Sequence, residues 1–120
     1  MDLAAKLQLK AGHRLTCVRL PDSVASALTG FTGDGDGDGT PDAALLAFVA
    51  DRSSLEAHRA QIVASAGADR LTWVAYPKAG QLGTDLHRDS LAEFLTASGL
   101  QPVRQIAIDP VWSALRFRPA

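Results

Sequence analysis

The chain of 120 residues contains one cysteine, seven aromatic residues besides histidine, and almost no net charge. Each scarcity excludes something. A lone Cys17 rules out an intramolecular disulfide and a cysteine-built zinc cluster. Twelve basic residues against thirteen acidic ones leave a formal charge of −1, with no field to gather nucleic acid or an anionic membrane surface. No apolar run approaches the roughly 20 residues needed to span a bilayer. The opening "MDLAAKLQLKAGHR" lacks the apolar core of a secretory signal, so the cytoplasm is the expected compartment. What remains is 47% apolar and 21% charged, an ordinary globular balance, and long enough for one core over residues 1–120.

The apolar pattern alternates between helical and strand-like stretches. "MDLAAKLQLKAG" reads as a short helix, and "HRLTCVRLP" as a strand with polar Thr16 among apolar neighbours. Pro21-Asp22 stops that strand and opens a second short helix. "AALLAFVA" is a continuous apolar run, as in a strand covered on both faces. "SSLEAHRAQIVASAG" is a helix, with Ser53 and Glu56 at capping-box spacing and Gly67 closing it. "RLTWVAYP" is a second buried strand, and "HRDSLAEFLTASG" a helix stopped at Gly99. "VRQIAID" and "VWSALRFRP" are joined by little more than Asp109-Pro110, which permits only an antiparallel pair. The alternation is that of an α/β sandwich, with the first and fourth strands at the edges.

The run "GDGDGDGTPDA" invites a calcium reading. Asp34, Asp36 and Asp38 take the first three ligand positions of a calcium loop, and Asp42 the ninth. The twelfth, which should be a bidentate glutamate, is Leu45, the start of the most apolar strand. The spacing also fails for a dinucleotide loop, and carboxylates repel a pyrophosphate. This segment enters a strand and so belongs to the amino edge of the sheet, whereas ligands of open α/β sheets bind at the carboxyl edge. A solvated connection is therefore expected, with calcium as the weaker alternative.

At the carboxyl edge the topology gathers Asp51 and Arg52 after the second strand, Lys78 after the third, and Trp112 and Ser113 at the start of the fifth. The loop "KAGQLGTDLHRD" adds Thr84, Asp85 and His87. Most have plainer roles: Asp51 and Ser53, or Thr84 and Asp85, as helix caps, and Trp112 against Tyr76 in the core. Lys78 has none, and a cation there suits a small anionic ligand, a carboxylate or phosphate. The histidines offer no i, i+4 pair, and no serine or cysteine sits in a nucleophile turn.

"LQLKAGHRL", Pro21-Asp22, "ALLAFVADRSSLEA", "LTWVAYPK", "GTDLHRD", "ASGL" and "DPVWSALRF" together resemble a bacterial family of short proteins, the domain-of-unknown-function family numbered three thousand and fifty-two. The layout is also similar to the second half of a class I methyltransferase sheet. These resemblances imply a Rossmann-like, methyltransferase-like sandwich of two or three layers, with strand order one-two-three-five-four and the last strand antiparallel. The position of the glycine turn that approaches S-adenosylmethionine reads "RLPDSV", so no cofactor is expected. The expected function is a non-catalytic module binding a ligand or partner, the alternative an enzyme using Lys78 and Asp85. If all crossover helices share one face, the first helix alone covers the other, and an exposed apolar patch would drive homodimerisation.

Overall fold

The computed structural model describes residues 3–9, 14–25, 43–78 and 86–120. Two single helical turns, two full helices and five strands follow one another as α1 (Leu3–Lys6), β1 (Arg14–Val18), α2 (Asp22–Ala25), β2 (Ala43–Phe48), α3 (Arg52–Gly67), β3 (Thr72–Pro77), α4 (Arg88–Thr96), β4 (Leu100–Ala107) and β5 (Trp112–Pro119) among the described residues. The sheet order is β1-β2-β3-β5-β4, with β1, β2 and β3 parallel and β5 antiparallel to both its neighbours. The α/β class and the strand order agree with expectation. The β4–β5 turn is tightened by Asp109, whose Oδ1 accepts from the Val111 and Trp112 amides at 2.8 Å each.

Successive side chains of a strand point to opposite faces. Leu45, Ala47 and Val49, with Val74, Tyr76, Leu115 and Phe117, therefore meet Leu55, Ile62 and Ala66 of α3 and Leu91 and Leu95 of α4. The intervening Leu46, Phe48, Trp73, Ala75, Trp112 and Ala114 meet Leu7 and Val24 on the other face.

That second face corrects the expectation of an uncovered patch. Val24 of α2 belongs with Leu7 to the core on the face opposite α3 and α4, so α2 does not share their side. The Trp73 indole Nε1 donates to the Leu7 carbonyl at 2.9 Å, tying the end of α1 to the sheet. Phe48 and Trp112 pack edge to face, and Arg116 reaches Gln8 at 2.7 Å. Bulky aromatic rings and a long arginine fill what one short helix does not. Among the described residues the exposed large apolar side chain is Val103, on edge strand β4. Among the described residues the second sheet face is therefore not an open apolar surface of the kind that calls for a second copy.

The helix ends agree with expectation in part. Of Asp51 and Ser53, Asp51 is the N-cap of α3; its Oδ1 accepts from the Ser54 amide at 2.8 Å. Asp51 is the extended residue directly before the first helical position, where a carboxylate also suits the positive end of the helix, whereas Ser53 already lies inside it. At the other end the left-handed residue is Asp69 (φ 59°), two positions beyond Gly67. The cap of α4 is His87 rather than Thr84 or Asp85. Gly99 lies beyond its end with φ 92°, in keeping with the expected stop.

Candidate functional site

A cavity of about 380 Å³ opens beside the carboxyl end of β3, lined by Tyr76, Lys78, His87, Arg88, Asp89, Gln105 and Ser113. Its floor follows from strand register. Tyr76 and Ser113 are cross-strand partners in the β3–β5 pair, and Gln105 stands opposite Leu115 in β4–β5, so all three share the face on which α4 packs. Lys78 follows β3, two residues after Tyr76, and its amide donates to the Val111 carbonyl at 2.7 Å. That bond fixes the backbone from which the ammonium extends. The first turn of α4 supplies the remaining wall.

The polar groups are connected. Gln105 Nε2 donates to the Tyr76 hydroxyl at 3.3 Å, and Arg88 Nη1 donates to Gln105 Oε1 at 3.3 Å. Arg88 Nε also reaches Asp89 Oδ1 at 3.3 Å, an ion pair whose two side chains are both more than half exposed. His87 Nδ1 accepts from the Ser90 amide at 3.4 Å, while Ser90 Oγ accepts from the His87 amide at 3.0 Å. A neutral imidazole whose Nδ1 accepts carries its proton on Nε2, so the cap also sets the tautomer. Burial pushes the Tyr76 hydroxyl above its usual pKa, while the Arg88 charge and a hydrogen bond from Ser113 act against that rise. The cavity thus presents a neutral phenol, a hydroxyl, an amide, an ammonium and a guanidinium against one carboxylate. Its donors outnumber its fixed negative charge, an arrangement suited to an anion.

Lys78 and Ser113, both named from the sequence, meet here. His87 joins them as wall and helix cap. Asp51 is instead committed to α3; the Ser54 amide, then the Ser54 hydroxyl, hold its carboxyl below the usual range. Arg52 is exposed at the first position of α3 and does not line the cavity. Trp112 points to the opposite face, with its ring 5.0 Å from that of Phe48 and 84° to it, so it does not pack on Tyr76. Adjacent strand residues cannot share a face, which separates Trp112 from Ser113. Thr84 and Asp85, and Asp34, Asp36, Asp38 and Asp42 of the acidic run, lie outside the described residues.

Tyr76, Arg88 and Gln105 also line the cavity without having been expected there. The signal for Tyr76 was available: a tyrosine in a buried strand needs a partner for its hydroxyl, and it lies two residues before Lys78 on the same face. Gln105 has no such signal without the bulge between Pro102 and Arg104, which resets the alternation of β4. Burial pushes the Cys17 thiol up to about 11, which suits an inert packing residue and not a nucleophile. Among the described residues, no group of three or more histidine, cysteine, aspartate or glutamate side chains is placed to hold a metal. None of the described helices is long and apolar enough to cross a membrane. No family model, no curated protein and no solved structure matches this chain.

Proposed function

We propose that the chain is a methyltransferase-like, Rossmann-like binding module of the domain-of-unknown-function family numbered three thousand and fifty-two, and that its β3-edge cavity holds a small anion without transforming it. The observation that carries this reading is the convergence of Lys78 and Arg88, from different elements, on a cavity already furnished with the Tyr76, Ser113 and Gln105 side chains. A planar guanidinium and a point-charge ammonium together suit a carboxylate or a phosphate monoester. Catalysis is less well supported. The acceptor nitrogen of His87 is used by α4, and the sequence "RLPDS" offers S-adenosylmethionine no glycine turn.

Thermal-shift screening of small carboxylates and phosphate monoesters tests the proposal, because a ligand of the folded state alone raises the melting temperature. At least one anion should raise it by several degrees, and Lys78→Ala and Arg88→Ala should each weaken that binding about tenfold or more. A panel without effect, or binding indifferent to both substitutions, overturns it. S-adenosylmethionine should produce no shift.

A further inference from the structure

On the face of the sheet away from the cavity, the β4–β5 hairpin carries a row of arginines. Arg104 and Arg116 are directly opposed across the two strands, and Arg118 follows Arg116 by two residues on the same face. Lys6 of α1 extends the row, its ammonium donating to the Ala107 carbonyl at 3.3 Å. Among the described residues the carboxylate engaged with this row is Asp69, bonded to Arg118 through Nε at 3.1 Å and Nη2 at 3.3 Å. Among the described residues, four cations therefore face one engaged carboxylate.

Like charges directly opposed across a sheet are destabilising, and Arg116 lies beside two of them. Burial first, and then the neighbouring Arg118 and Arg104 charges, push Arg116 below its usual pKa, while Asp69 works the other way. Arg116 Nε is buried with no hydrogen-bond partner. Two of the side chains that hold the row come from the residues that end helical turns. Gln8 (φ 62°), which accepts from Arg116, follows α1, and Asp69 (φ 59°), which accepts from Arg118, follows α3, both in the left-handed conformation of a helix stop. An edge hairpin of this length has no folding need for opposed arginines; Thr or Gln at position 104 would serve a strand as well.

We propose that this arginine row is a docking surface for an acidic segment of a protein partner. Arg104 and Arg118 are exposed while Arg116 is partly buried between them, so the outer members of the row lie on open strand surface. A single small anion gains little there, because exposed ion pairs in water contribute about 0–1 kcal/mol each. A chain carrying several carboxylates engages the row at once and gathers those small terms. Carboxylates are also the geometric match for guanidinium forks. Nucleic acid is disfavoured by the whole chain's charge of −1, which opposes a polyanion beyond the immediate row.

The test is fluorescence anisotropy of a labelled ten-residue polyglutamate peptide against the full chain at low and moderate salt. Binding should be measurable at low salt, weaken as salt rises, and fall about tenfold or more in each of Arg104→Glu and Arg118→Glu. Arg104→Gln serves as the milder variant: it should weaken the peptide while raising the melting temperature, since it removes the cross-strand repulsion. Lys78→Ala, on the other face, should leave the peptide unaffected, which separates this surface from the cavity. Wild-type protein that ignores the peptide at 100 µM at low salt, reversal variants that bind it undiminished, or tighter binding to a duplex oligonucleotide of equal charge would each overturn the proposal.

Discussion

Ser65 of α3 and Thr72 of β3 hold their hydroxyl oxygens 2.7 Å apart inside the core. Thr72 has one hydroxyl proton, and it is donated to the Arg70 carbonyl at 3.0 Å, so Ser65 is the donor of the shared bond. The assignment is asymmetric and testable. Thr72→Val leaves both the Ser65 hydroxyl and the Arg70 carbonyl short of a partner, and should cost about 1–3 kcal/mol by urea denaturation. Ser65→Ala removes only an accepted bond from Thr72 and should cost about 1 kcal/mol. The double variant should cost less than the sum. Equal single costs would reverse the donor assignment.

Such pairs show why the fold was more legible than the site. β2 and β3 were readable because strands covered on both faces are apolar throughout, and β3 is buried at all six positions. The antiparallel β5 followed from the shortness of its connection. The α3 cap was legible, since Asp51 is a residue type that caps and directly precedes the helix. The α4 cap falls on His87, a type not favoured at such positions, rather than on Thr84 or Asp85. The cavity was half-legible as well. Lys78 was conspicuous as an unexplained cation, but Gln105 reaches Tyr76 only through the register of a bulged edge strand. The first helix was legible as a cover of the second face, but its tether was not, because it depends on the Trp73 indole reaching a backbone carbonyl sixty-six residues earlier.

Tyr76 is the one tyrosine of the chain, so the alkaline ultraviolet titration of the phenol reads this residue alone. Its midpoint should lie above 10.0, since burial disfavours the phenolate. Arg88→Ala should move it higher and Asp89→Asn lower, because Arg88 favours the phenolate and Asp89 opposes it. A raised folded value means the unfolded chain ionises first. The contribution to stability is therefore intact below the unfolded value and is lost as pH rises through the folded one. Tyr76→Phe should flatten that alkaline loss. A midpoint at or below 10.0 in the folded protein would contradict the burial argument.

Asp51 makes the opposite prediction at acid pH. The Ser54 amide and hydroxyl favour its charged form, so its folded pKa lies below the unfolded value. A depressed carboxyl contributes stability above the unfolded pKa and loses it as pH falls through the folded one. Asp69, held down first by its hydrogen bond from Arg118 and then by that residue's charge, contributes with the same sign, so wild-type protein alone cannot separate the two. The difference between wild type and an Asp51 variant can. Asp51→Asn keeps an acceptor of nearly equal capping power but removes the charge, whereas Asp51→Ala removes the acceptor too. Both should melt below wild type at pH 7, alanine by several degrees and asparagine by less. On acidification toward pH 2, the gap between asparagine and wild type should close, because protonated Asp51 has lost the charge that asparagine never had. The alanine variant should remain the least stable throughout, since a protonated carboxyl still offers an oxygen to the Ser54 amide. A gap between asparagine and wild type that stays constant from pH 7 to pH 2 would show that the charge of Asp51 does not help to hold the start of α3.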